Sequence, residues 1–521
     1  MLEFKKQVLK QNTEQSRAFT QITLDDDCIV KDSKSDVIKI IHTKGAVVFD
    51  ETKISGQTVW VTGKLNFTVL YRSDGRTEKL ESLQDSITFG ERLVMEGLDE
   101  LDTVRLSGKL EDLSISVINS RKLAVRALID ISGMAEHQSE EEWIDGIMPE
   151  GVVQERREEK EMLLLVSSKK DLVRTHNEIP LPGAHPNISR ILYDHVEVRN
   201  REVVMAKGHV QLQGEAYCAV LYMSEDGQNV WYECCVPIAG QMECEEYDGQ
   251  PIYWIHATPS LIEVEAVADF DGEMRLIGVD MTFDVDMKVW KEKTMPILTD
   301  VYALDCNLIP RYDWMNTWKL QMKNISKLRI SEQVSLEDGQ EKILQLCCQE
   351  GEVHIDQVTV VDNGISVEGI LMLHILYATA DDNVPVAKST AQIPFVQMID
   401  VPGLTALDGK IHYELETGID QLQVNLLDSD KYEVKATLSL GVIVLTKEQS
   451  RKIVELTEEP FDEEALQKAP GIVGYVVKDD EEMWDVAKQY HTTEQEIMNT
   501  NGLKSPRIKR GDKLIIVKKV G

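Results

Sequence analysis

Apolar and polar residues alternate in the same way at three places along the chain. Val59, Val61, Leu65, Phe67 and Val69 lead to Tyr71; Val210, Leu212, Ala216, Cys218 and Val220 lead to Tyr222; Ile365, Val367, Leu371, Leu373 and Ile375 lead to Tyr377. In every copy a glycine (Gly63, Gly214, Gly369) stands eight positions before the tyrosine. A period of two marks a β-strand with one buried face. The tyrosines are 151 and 155 residues apart, so one β-unit is repeated three times in tandem.

Each tyrosine is followed by turn chemistry: Ser73-Asp74-Gly75, Glu225-Asp226-Gly227 and Asp381-Asp382-Asn383. These residues tolerate positive φ and suit a hairpin. A second strand then carries Ile87/Phe89, Val236/Ile238 or Ile393/Phe395. A further hairpin is expected around Asn119-Ser120, Asp271-Gly272 and Asp428-Ser429. The units read as antiparallel sandwiches or barrels over 17–136, 172–293 and 327–446. Between them lie connectors at 137–171 and 294–326. The first is acidic and, over Gly151–Val173, helical in composition, either connecting units one and two or packing on a sheet as part of a domain. Residues 447–471 read as an acidic linker, partly helical, closed by Ala469-Pro470-Gly471. The repeat glycines are expected at bulges or close strand approaches, and the tyrosines at the rim of the buried face.

A length of 521 residues accommodates three such units and a short tail. The net charge of −34 argues against nucleic acid as a main partner, because phosphate recognition needs a basic face. Charge is uneven: Lys504, Arg507, Lys509, Arg510, Lys513, Lys518 and Lys519 face one acid, Asp512, near the C-terminus. No apolar run reaches the length of a membrane-spanning helix, and the N-terminus does not read as a signal peptide. The eight cysteines lack CxxC spacing and are read as reduced and cytosolic.

From 472 to 521 the pattern changes to β-α-α-β. Tyr475-Val476-Val477 forms a strand, Glu481–Tyr490 a helix, and Thr492 or Thr493 caps a second helix with Glu496 in the capping-box position. Asn501-Gly502 ends it, and Lys513–Val517 is the last strand. This segment resembles the LysM module. The matching residues are Tyr475 and Val477, Met483-Trp484-Asp485-Val486-Ala487, Asn501 and Leu503, and Ile508, Gly511 and Leu514. One turn departs from that family. Where glycan-binding LysM modules carry a small Ser/Pro-Gly-Asp-Thr turn, this chain has Asp479-Asp480-Glu481-Glu482. Four carboxylates crowd and charge a surface that a sugar must approach, which counts against glycan binding and favours a protein partner of complementary charge.

The repeats resemble the SPOCS domain of endospore formers, and three of them followed by LysM are similar to the SipL-like spore coat morphogenetic proteins. The resemblance implies a mother-cell protein recruited to the forespore surface. It also implies that the LysM domain binds stage IV sporulation protein A, the ATPase of the coat basement. By analogy, Lys478, Asp479, Met483, Trp484, Leu503, Arg507 and Ile508 line the two groove loops. Trp484 is read either as a core residue or as the anchor for a partner, since aromatic anchors dominate interfaces.

No phosphate-binding loop, zinc-protease motif or nucleophile elbow occurs, and no cofactor or metal site is expected. Cys234-Cys235 with Cys244 does not suggest a shared ion, because adjacent strand residues point to opposite faces. The expected function is a non-enzymatic adaptor, with other coat proteins or self-association as further roles of the repeats. The alternatives are a peptidoglycan- or cortex-binding protein and an enzyme of an unrecognised β-class.

Overall fold

The computed structural model describes residues 3–74, 80–148, 153–247, 250–381, 384–405, 411–461 and 470–517. The first unit contains β1 (Glu3–Ile29), β2 (Val37–Ser55), β3 (Thr58–Ser73), β4 (Leu80–Val94), β5 (Thr103–Asn119) and β6 (Lys122–Met148). It folds into two three-stranded antiparallel sheets, β1-β6-β5 and β2-β3-β4, packed face to face. The second unit repeats this order with β7 (Val153–Pro180), β8 (Ile188–Ala206), β9 (His209–Ser224), β10 (Asn229–Glu243), β11 (Ile252–Ala268) and β12 (Met274–Ala303). The third follows with β13 (Cys306–Ser335), β14 (Gln345–Val361), β15 (Gly364–Ala378), β16 (Val386–Asp400), β17 (Ile411–Asp428) and β18 (Lys431–Pro460). The fold is thus mainly β, in three tandem sandwiches.

The alternating segments are the central strands β3, β9 and β15. Their inward residues form the sandwich cores with β6, β12 and β18. Tyr71, Tyr222 and Tyr377 are fully buried, and each hydroxyl donates to a backbone carbonyl: Ser35, Pro186 and Glu341, at 3.2, 3.1 and 3.0 Å. That carbonyl lies 36 residues before the tyrosine in all three copies, so the ring ties the loop between each unit's first and second strands to its central strand. The glycines sit beside bulges of β2, β8 and β14, where the neighbouring strand shifts register. A Cβ at Gly63 would come within 2.5 Å of the Val48 carbonyl oxygen. Only glycine admits that approach. The turn at Glu225–Gly227 forms with Gly227 at φ +78°. Gly75, Asp382 and Asn383 of the other two turns lie outside the described residues.

Where described, the connectors are strand, not helix; residues 149–152 of the first and 462–469 of the acidic linker lie outside the described residues. Val153–Leu165, within the stretch of helical composition, pairs with Trp290–Ala303, and Lys447–Pro460 of the acidic linker pairs with Cys306–Trp318. Helix preference among Glu, Lys and Arg is worth only tenths of a kcal/mol per residue, and long-range pairing overrides it. The β1–β6, β7–β12 and β13–β18 ladders therefore run on past their third strand as two-stranded ribbons. The three ribbons pack on one another: Ile144, Val153, Val301, Leu308 and Ile453 share one apolar cluster, and Leu9, Trp143, Met162, Ile297 and Met315 another.

A buried polar junction joins the units at equivalent positions. Arg105 pairs in register with Met134, Trp254 with Lys288, and Glu414 with Ile443, one pair per unit. Lys288 donates to Glu136 of the first unit at 2.6 Å and to Glu414 of the third at 2.8 Å. Burial alone would raise the Glu414 carboxyl; His256, His412 and Lys288 outweigh it and hold the group well below the usual range.

Candidate functional site

The C-terminal module consists of β19 (Ile472–Val476), α1 (Met483–Gln489), α2 (Glu494–Asn501) and β20 (Lys513–Val517), with β19 and β20 antiparallel. Thr493 caps α2 by accepting the Glu496 backbone N–H at 3.1 Å. The Glu496 carboxylate accepts from the Thr492 hydroxyl instead of closing a capping box with Thr493. Gly502 ends the helix at φ +66°. Asn501 then ties helix to strand, its amide donating to Ile515 O and its carbonyl accepting Ile515 N–H.

The loop between β19 and α1 is folded onto itself. Asp480 takes φ +60°, the left-handed conformation a glycine would adopt without strain. Glu481 accepts from the Tyr475 hydroxyl at 2.7 Å and from Lys478 N–H at 2.9 Å. Asp479 pairs with Arg510 of the loop before β20, so an ion pair bridges the two lips of the groove. Glu482 pairs with Arg156 of β7 at 2.6 Å. Three of the four carboxylates are thereby engaged, whereas Lys504, Arg507 and Lys509 remain exposed.

The seven groove residues separate into three environments. Lys478, Asp479 and Arg507 are exposed on the loops, and Leu503 and Ile508 are half-buried against the module's core. Met483 and Trp484 are buried, with Val486, Ala487, Ile497, Leu514 and Ile516. Trp484 also faces out of the module, against the second unit. Its ring meets Tyr302 of β12 edge to face, with centroids 4.9 Å apart, and its Nε1 donates to Asp300 Oδ2 at 2.8 Å. Lys488 Nζ and the Tyr312 hydroxyl reach Asp300 Oδ1 at 2.6 and 2.8 Å. The Tyr302 hydroxyl donates to Thr492 O at 2.8 Å. Burial alone would raise the Asp300 carboxyl, but these donors hold it below its ordinary value. Asp300, Tyr302 and Arg156 were not among the sequence candidates. They lie where connectors were expected, and nothing local to Asp300-Val301-Tyr302 sets it apart from an ordinary strand.

Among the described residues, no group of three or more His, Cys, Asp or Glu is arranged to hold a metal ion, and no helix is long and apolar enough to cross a membrane. The eight cysteines are unpaired thiols.

Three tandem sandwiches carrying a small βααβ module define a multidomain β-scaffold that ends in a binding module. The SipL, SPOCS domain family model matches residues 36–118 and 342–427, and the LysM domain model matches 475–517. Two SPOCS domains followed by a C-terminal LysM domain match the arrangement of a SipL-like protein. The second unit shares the strand order and the glycine–tyrosine geometry of the two matched ones. These domains mark a sporulation-related LysM protein, are in general non-catalytic binding domains, and indicate no enzymatic family. No curated protein and no solved structure matches the chain.

Proposed function

We propose that this chain is a non-enzymatic adaptor of endospore coat assembly, acting in the mother-cell cytoplasm at the forespore surface. In this reading its LysM domain binds stage IV sporulation protein A, and the SPOCS repeats provide surfaces for other coat proteins or for self-association. The observation that carries it is the joining of SPOCS domains and LysM in one chain. The groove adds support: three of the four carboxylates in its acidic turn already have partners, its lips are bridged by Asp479–Arg510, and exposed cations remain beside it. A glycan chain would have to break the bridge, whereas an acidic protein surface can meet the cations as they stand.

The test is binding of purified stage IV sporulation protein A to the full chain and to a chain ending at residue 461. The reading expects binding that is lost with the LysM domain. Equal binding by the shortened chain would overturn LysM as the docking module.

A further inference from the structure

The face of the LysM domain that holds Trp484 is covered by the second repeat. Asp300 receives two donors from the module, Trp484 Nε1 and Lys488 Nζ, and Tyr302 completes the module's own apolar cluster while donating to Thr492 O. Arg156 adds an ion pair to Glu482 at the edge of the same contact. A second feature singles out Asp300. The β7–β12 ladder slips register between Leu298 and Asp300, skipping Thr299. Such a bulge re-aims a side chain, and here it aims a carboxylate at the module.

Chain connectivity favours a closed contact. β18 ends at Pro460, which pairs with Cys306, three residues beyond the end of β12 at Ala303. The module resumes at Ile472, so its tether starts close to the surface that it covers. A short tether gives an effective concentration of about 1 mM, and an intrinsic affinity of about 10 μM then keeps the contact about 99% closed.

We infer that Asp300 is a latch that docks the LysM domain in cis and shields its Trp484 face, so that a partner using this face must displace the second repeat. This rests on the reading of LysM as the partner-binding module. Latching lowers apparent affinity by the fraction of molecules that are closed. The device is autoinhibitory: the module is fully available only after something competes for, or neutralises, Asp300.

Two full-length variants test it, Asp300→Ala and Lys488→Glu. One removes the acceptor from the repeat, and the other places a repelling charge on the module. Hydroxyl-radical footprinting reads the solvent access of Trp484 directly. Loss of charge-assisted hydrogen bonds of this kind should raise Trp484 oxidation about tenfold in both variants. Apparent affinity for stage IV sporulation protein A should tighten about tenfold in Asp300→Ala. Unchanged Trp484 oxidation in both variants overturns the latch. Greater oxidation with unchanged or weaker affinity overturns autoinhibition. If neither wild type nor variant binds the ATPase, the adaptor reading fails, and footprinting still decides whether the latch exists.

Discussion

Replacing Lys288 by Met should weaken the assembly of the three repeats more than any surface substitution. The Lys288 side chain is 6% exposed and lies between Glu136 and Glu414, on different repeats, at 2.6 and 2.8 Å. Removing one member of a buried ion cluster leaves uncompensated charge and costs about 3–5 kcal/mol. Arg105 lies 3.8 Å from Glu136 and 3.7 Å from Glu414 and takes over part of the compensation, which places the loss near the lower end, about 3 kcal/mol. Urea unfolding of the full chain measures it as a lower midpoint at unchanged slope. The comparison is Lys319→Met, which breaks an exposed pair with Glu161 and should cost less than about 1 kcal/mol. Adding Glu136→Gln to Lys288→Met should restore more than about 1 kcal/mol, because the two groups are coupled. A Lys288→Met loss no larger than that of Lys319→Met would refute the buried inter-repeat junction.

Other outcomes follow from the same geometry. His42 is buried with neither ring nitrogen hydrogen-bonded, and burial lowers its pKa to about 4. The unfolded chain therefore takes up this proton first, and stability should fall as pH drops from about 6.5 towards 4, by up to about 3 kcal/mol. His42→Phe should flatten that part of the slope; an unchanged slope would assign it to other groups, such as neighbouring His374, whose pKa burial also lowers. Asp480→Gly should raise the thermal stability of the LysM domain, by up to about 1 kcal/mol, since glycine takes positive φ without strain; a lower melting point would contradict this. Arg507→Glu should weaken binding to stage IV sporulation protein A at unchanged circular dichroism, and normal binding by a folded variant would remove this loop from the interface.

The strands that alternate cleanly were legible, because a period of two with a glycine and a tyrosine at fixed positions is a local signal. Gly63, Gly214 and Gly369 lie beside bulges, and the tyrosines anchor the sandwich ends, as those residue types imply. The LysM elements were legible for the same reason: caps, a stop signal and a compact core all reside within about fifty residues. The ribbons were not. Val153–Leu165 is rich in helix formers, and its partner strand lies more than a hundred residues away, so the decisive pairing leaves no local trace. Trp484 shows the limit at the site. It reads either as a core residue or as the anchor for a partner; the ring lies in the module's core and also meets the chain's own second repeat, and Asp300 emerges only once a bulge in a distant ribbon turns it towards the indole.

The central claim is that the LysM domain serves a protein and not a glycan. Its most direct test is to measure binding of the full chain, as wild type and as Asp300→Ala, to purified stage IV sporulation protein A and, in parallel, to peptidoglycan and chitin oligomers. The account predicts saturable binding to the ATPase, tighter in Asp300→Ala, with no saturable glycan binding by either protein. Saturable glycan binding without ATPase binding would contradict it and return the module to the ordinary LysM role.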